Sequence, residues 1–234
     1  MKTVVASFFA LFLCLTSVAQ SNFHKLSLGA GFGSTTSFTD VEKRDFGLAG
    51  YGTLDYYFTP FLNIGMEVQK GEIAGGDVAT DPNERQFINT YTSLTLNGKI
   101  ALGSFIDYER NSFANAIKHL YAGAGIGLIR NKMKSVIRYP SSNPTYKFPG
   151  VDSGNDIVVP LNLGINFYVG GKSGIRRLAI NLNVQGNVTI GEGLDGYNDS
   201  PIKFENNNPD IYTYYSLGLK YHFGQVGISR KYLY

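Results

Sequence analysis

The chain has 234 residues, 43% of them apolar and only 17% charged, with a net charge of +3. The length fits one domain or two small ones, and so small a charge gives no case for a nucleic-acid partner. No run of about 20 apolar residues occurs, which excludes a helical membrane protein; a membrane β-barrel stays open, because its alternating strands average to near-neutral hydropathy.

The first twenty residues read as an address. Lys2 gives a short positive start, residues 4–15 form an apolar stretch broken only by Ser7, and Thr16-Ser17-Val18-Ala19 supply small residues before a cut at Ala19-Gln20. Residues 1–19 are therefore predicted to be a secretory signal peptide. The single cysteine, Cys14, lies inside it and follows Leu13, where a lipoprotein signal needs a small residue. A mature chain without cysteine has neither disulfides nor cysteine-based chemistry.

From there the pattern has period 2, not 3.6. Eight segments alternate, at 26–32, 48–58, 62–68, 88–102, 120–128, 159–169, 178–190 and 215–223. One face carries residues such as Leu26, Leu48, Met66, Leu96, Ile126, Leu163, Leu182 and Leu219. The other carries Gly, Asn, Ser and Tyr. The mid-segment charges, Asp55, Glu67, Lys99 and Lys220, all fall on the second face. A lysine facing lipid at the midplane would cost about 2–4 kcal/mol, which enforces such segregation.

The connections alternate too. Residues 34–45, 72–86, 131–156 and 191–210 are long; 59–61 and 170–176 are short; 103–117 is intermediate, and its Phe105, Phe113, Ala114 and Ile117 suit a short rim helix. Short turns at one rim and long loops at the other suit a membrane barrel. A soluble lipocalin-like barrel has the same up-and-down order with its apolar face turned inward. Aromatics near the segment ends favour the membrane. Tyr56, Phe58, Phe61, Phe167, Tyr221 and Phe223 gather at one rim, with Phe32, Phe46, Phe87, Tyr212 and Tyr215 at the other.

Ser216-Leu217-Gly218-Leu219-Lys220-Tyr221-His222-Phe223 is similar to the C-terminal assembly signal of bacterial outer-membrane proteins, carried by Ser216, Gly218, Tyr221 and Phe223. With Tyr121-Ala122-Gly123-Ala124-Gly125-Ile126-Gly127 and Tyr56-Tyr57-Phe58-Thr59-Pro60, the chain resembles the small eight-stranded outer-membrane barrels typified by the OmpA transmembrane domain. The resemblance implies an all-β, eight-stranded antiparallel up-and-down barrel in a Gram-negative outer membrane. It also implies lipid and lipopolysaccharide surroundings and a barrel-assembly machinery that reads the last strand. It implies no cell-wall tether, since there is no room for a peptidoglycan-binding domain. Residues 20–223 are predicted as the barrel and 224–234 as a periplasmic tail, a departure from relatives that stop at the aromatic.

Other motifs carry less. Gly29-Ala30-Gly31-Phe32-Gly33 and the glycines of 123–127 lie within continuing strand alternation, not before a helix, so no dinucleotide site is predicted. They leave room for Tyr51, Tyr121 and Tyr214. Asp55, Glu67, Lys99 and Lys220 are predicted to form a structural ion-pair plug in the lumen or the gate of a narrow pore. His24, His119 and His222 map near the short-turn rim, as solvated residues rather than metal ligands, with His24 and His222 neighbours across the seam. Ser216 and His222 share a face but are roughly 20 Å apart at ~3.3 Å per residue, so no hydrolase set is predicted.

The loops hold the remaining signal. Lys132, Lys134, Arg138, Tyr139, Tyr146 and Lys147 make the longest loop basic and aromatic. Its neighbours are acidic, with Glu72, Asp77, Asp81 and Glu84 in one and Glu192, Asp195, Asp199, Glu205 and Asp210 in the other. The sequence thus predicts a non-enzymatic structural or accessory barrel that docks a protein partner through its loops or tail, without cofactor, metal or nucleic acid. The alternative is a narrow gated pore for small solutes.

Overall fold

The computed structural model describes residues 21–39, 41, 43–109, 111–170, 176–191, 193–197, 210–229 and 231. The predicted signal segment with Cys14, and loop and tail residues Glu192, Asp199, Glu205, Arg230 and 232–234, lie outside the described residues. Eight strands form: β1 (Ser21–Phe38), β2 (Phe46–Thr59), β3 (Leu62–Gly76), β4 (Gln86–Ala101), β5 (Leu120–Val136), β6 (Ser153–Val169), β7 (Leu178–Ile190) and β8 (Ile211–Ser229). Each pairs antiparallel with its neighbours in sequence, and β8 pairs with β1 to close the ring. The fold is an all-β, eight-stranded antiparallel up-and-down barrel.

Side-chain period 2 decides which face each residue takes. Leu48 is 77% exposed and Leu128 63% exposed on the outside, while Asn89, Asn131 and Gln185 are wholly buried within. This inverts a soluble protein, so the lipocalin-like alternative fails. In hydrocarbon every backbone polar group needs a partner, and a closed ring supplies one at every spanning position. The register aligns apolar side chains into horizontal rows such as Val68, Leu94 and Leu128, then Met66, Leu96 and Ile126.

Strands of 13 to 19 residues exceed the ~9–11 that a tilted crossing needs. Most of the excess lies toward the long loops. There β1 runs to Phe38, β3 to Gly76 and β5 to Val136, so the connections shrink to 39–45, 77–85 and 137–152. The intermediate connection holds a 3-10 turn, Leu102–Ser104, and the predicted rim helix, α1 (Ser112–Ile117). Asn111 caps α1, its side chain accepting from the N–H groups of Phe113 and Ala114.

The last strand does not stop at Phe223. A β-bulge sets Gly224 and Gln225 of β8 against Lys25 of β1, and pairing resumes from His24–Val226 to Ser21–Ser229. Gly224 has φ +80°, a conformation that glycine takes without strain. The extra residue breaks the alternation at 223, so the period-2 pattern ends there while the strand goes on. Residues 224–229 are part of the barrel wall rather than a tail.

Replacing outward Leu96 by Lys is expected to destabilise the barrel by about 2–4 kcal/mol, because the residue sits mid-belt with no protein partner to lose. Urea unfolding in liposomes, followed by loss of the unboiled gel shift, measures it. An unchanged midpoint would mean that this face does not meet lipid.

Candidate functional site

The lumen is filled by side chains and divides into three layers. The middle layer is polar. Asp55, Glu67, Lys99 and Lys220 are each 6% exposed or less. They form two pairs: Lys220 Nζ donates to Asp55 Oδ2 at 2.7 Å, and Lys99 Nζ stands 3.7 Å from Glu67 Oε2. Ser27 also donates to Asp55 Oδ2 (3.1 Å), whereas Asp55 Oδ1 has no hydrogen-bond partner. Carboxamides then bridge strand to strand. Gln185 Nε2 donates to Glu67 Oε1 and to Asn162 Oδ1, both at 3.0 Å; Asn162 Nδ2 donates to Asn97 and Asn183 Nδ2 to Asn162. Tyr51 and Tyr121 donate to Asn181 and Asn183. The inward glycines make this possible: a methyl at Gly218 would collide with the Tyr51 hydroxyl, and one at Gly164 with that of Tyr121.

The upper layer is apolar and closed by loops. Leu194 and Ile129 are fully buried, and Tyr91, Tyr212, Phe148 and Tyr197 pack with them. Leu194 reaches this core from the β7–β8 connection. Its carbonyl accepts from Asn89 Nδ2 (2.9 Å) and its N–H donates to Asp210 Oδ2 (3.1 Å). The Tyr197 hydroxyl donates to the carbonyl of Gln86 or Ile137, 3.1 and 2.9 Å away, tying three loops together.

The lower layer is aromatic: Phe23, Tyr57, Phe61, Tyr108 and Tyr121, with Tyr168 against them. A void of about 20 Å³ between this layer and the lysines is the size of one water. Two of the three histidines, His24 and His222, are not solvated rim residues, while His119 is half-buried. His24 and His222 are buried, His222 lies between Tyr57 (5.3 Å) and Tyr168 (5.2 Å), and His119 stacks on Phe61. Nor do His24 and His222 face each other, since the register sets His222 against Ser27 and His24 against Val226. Among the described residues no group of His, Cys, Asp and Glu is spaced to hold a metal.

Of the predicted loop candidates, Lys132 and Lys134 belong to strand β5 rather than a loop, because the ladder runs on to Val136. Lys134 pairs with Glu72 at 2.6 Å. Arg138 is used internally, donating to the Gly196 carbonyl (2.6 Å) and to Asp152 (2.7 Å). Tyr139 and Lys147 are exposed, and Tyr146 sits edge-on against Phe148. Lys134–Glu72 thus joins the basic stretch to an acidic neighbour, whereas Arg138 pairs with Asp152 of its own connection and Lys132 has no ion-pair partner among the described residues. The Glu84 carboxylate, on a residue with φ +55°, accepts from the N–H groups of Ser141 and Ser142 and clamps two loops. Of the assembly motif, Ser216 and Gly218 face the lumen, while Tyr221 is 44% exposed to the outside, two positions before the strand-internal Phe223.

Sequence reasoning missed Leu194, Tyr197 and Phe148, whose loops have no period to read. It also missed Lys231, whose ammonium donates to the carbonyls of Gly103 (2.8 Å), Ser104 (2.8 Å) and Ile106 (3.4 Å). These lie beyond β4, across the ring from β8.

Removing Lys220 alone strands a buried carboxylate. Lys220→Met is expected to cost about 3–5 kcal/mol in urea unfolding, and Asp55→Asn with Lys220→Met distinctly less. Equal losses would show that the pair is not desolvated. In the cap, burial pushes the Tyr197 phenol up to about 12, with its bond to the Gln86 backbone opposing the shift. A folded-state value above the ordinary ~10 means that this contribution to stability is complete below about pH 10 and lost as pH rises toward 12. Ultraviolet titration of the phenolates, with Tyr197→Phe subtracted, should show one group ionising near pH 12; a value near 10 would mean an open cap.

No family model and no curated protein matches the chain. Solved structures do. Neisserial surface protein A is 11% identical, with a TM-score of 0.51 over 85% of this chain and 97% of that one. Ail, the attachment invasion locus protein of Yersinia pestis, is 11% identical with a TM-score of 0.43 over 86% and 99%. The N-terminal barrel domain of Pseudomonas aeruginosa OprF is 9% identical with a TM-score of 0.41 over 86% and 98%. The outward apolar belt, the closed ring and the shared fold agree: this chain has the fold of a small eight-stranded outer-membrane β-barrel, with the apolar outer face of a barrel that spans a membrane.

Proposed function

We propose that this barrel is a non-enzymatic structural or accessory protein that presents a preformed loop surface to a partner outside the cell. The observation that carries the reading is the cap. Buried Leu194, Phe148 and Tyr197 hold three connections in one arrangement, and Glu84 ties the β3–β4 loop to the β5–β6 loop. Between those two loops opens a cavity of about 330 Å³ lined by Pro82, Asn83, Pro140, Ser142, Asn143, Tyr146 and Phe148. A surface already ordered loses little conformational entropy on binding. The packed lumen supports a structural role over a conduit. Lys231 is bound to the chain's own carbonyls, so the loops rather than the C-terminus are the better docking surface.

Two observations favour the gated-pore alternative. Asp55 Oδ1 is an acceptor not in use, and the Lys99–Glu67 pair is loose at 3.7 Å, so the lysines have more than one way to pair.

Size after mild-detergent extraction separates the readings. The docking function predicts a species larger than a single-barrel micelle that falls to single-barrel size when residues 141–146 are replaced by a Gly-Ser linker of equal length. A wild-type barrel that runs alone, or a complex indifferent to the loop, would sink it. The pore alternative predicts that Glu67→Gln raises single-channel conductance in planar bilayers.

A further inference from the structure

The outer surface carries an unbalanced charge where the apolar belt ends. Immediately above the row Val68, Leu94 and Leu128, the register aligns Lys70 of β3, Thr92 of β4 and Arg130 of β5. One row higher stand Glu72, Thr90 and Lys132. Lys70 and Arg130 continue the outward parity of Val68 and Leu128, and Lys132 follows Arg130. All three cations are exposed. Glu72 is taken by Lys134. Lys70, Arg130 and Lys132 have no ion-pair partner among the described residues.

Spacing makes them one site. Strands lie ~4.8 Å apart, so Lys70 and Arg130, two strands apart, are separated by roughly 10 Å, and Lys132 stands about 7 Å above Arg130. Side chains of this length have the reach to meet one group between them, and the outward threonines Thr90 and Thr92 stand between the cations. An unpaired cation is costly beside hydrocarbon unless an anion meets it there. This end of the barrel bears the long loops and so faces the outer leaflet. An arginine fork and two ammonium groups suit phosphate, the first by paired hydrogen bonds and the others as point charges.

The geometry points to a lipid-binding site on the outer wall of β3–β5, in which Lys70, Arg130 and Lys132 hold a phosphate of the phosphorylated glycolipid of the outer leaflet. This site is independent of the loop cap and of any protein docked there. The apolar rows below it, Val68, Leu94 and Leu128 and then Met66, Leu96 and Ile126, provide the surface for the acyl chains of the same molecule.

Native mass spectrometry of the full barrel in detergent with chelator, titrated with bisphosphorylated lipid A, tests this. The wild-type protein should retain bisphosphorylated lipid A and release the dephosphorylated form. At about 1 kcal/mol per surface cation, Lys70→Gln, Arg130→Gln and Lys132→Gln together should weaken retention on the order of a hundredfold. The unboiled gel shift checks that this variant folds, and Lys70→Arg with Lys132→Arg should keep the binding. Equal retention by the triple variant would overturn the site. So would equal affinity for phosphatidylglycerol, or for lipid A without its phosphates. A triple variant that keeps its lipid but loses a co-purifying protein would replace the lipid with an acidic partner surface.

Discussion

The rest of the molecule depends on one constraint: no backbone N–H or C=O can face hydrocarbon unpaired. An open sheet of eight strands would leave two such edges. The β1–β8 seam removes both, pairing Ser21–Phe38 with Ile211–Ser229. Closure at eight strands then fixes the radius, and the radius fixes what the lumen can hold. Side chains fill it, so the charges inside have neighbouring side chains rather than bulk water for partners.

That explains the layering. A lumen of polar side chains alone would stay wet at both mouths. Here Leu194, Phe148 and Tyr197 close the upper end, and Tyr57, Phe61 and Tyr108 the lower. Between these two apolar layers a salt bridge such as Lys220–Asp55 is strong because water is kept away, and costly to leave half-made for the same reason. The two plugs and the polar centre therefore support one another.

Much of the barrel is legible in the sequence because strand geometry projects directly onto residue parity. Leu26, Leu28 and Ala30 must share a face, and so must Asn181, Asn183 and Gln185. Parity also predicts that Asp55, Glu67, Lys99 and Lys220 point inward. It does not predict who pairs with whom. Lys220 meets Asp55 only because the ring closes, bringing together residues 165 positions apart. The cap was opaque for a different reason: Leu194 sits among glycines and acids with no repeat to mark it as core. At Gly224 a single inserted residue reversed the parity, so a continuing strand read as an ended one. The outward cations were legible as charges but not as one cluster, since Lys70 and Arg130 join only through the β3–β4–β5 register.

The reach of Lys231 has a mechanical consequence. Its ammonium grips the turn after β4, on the far side of the ring from the strand that carries it. Tension applied at the C-terminal end would load two opposite walls at once instead of peeling β8 away from β1. The seam carries the longest run of paired residues in the ring, and a cross-brace at its lower end makes the barrel a tied hoop rather than a rolled strip.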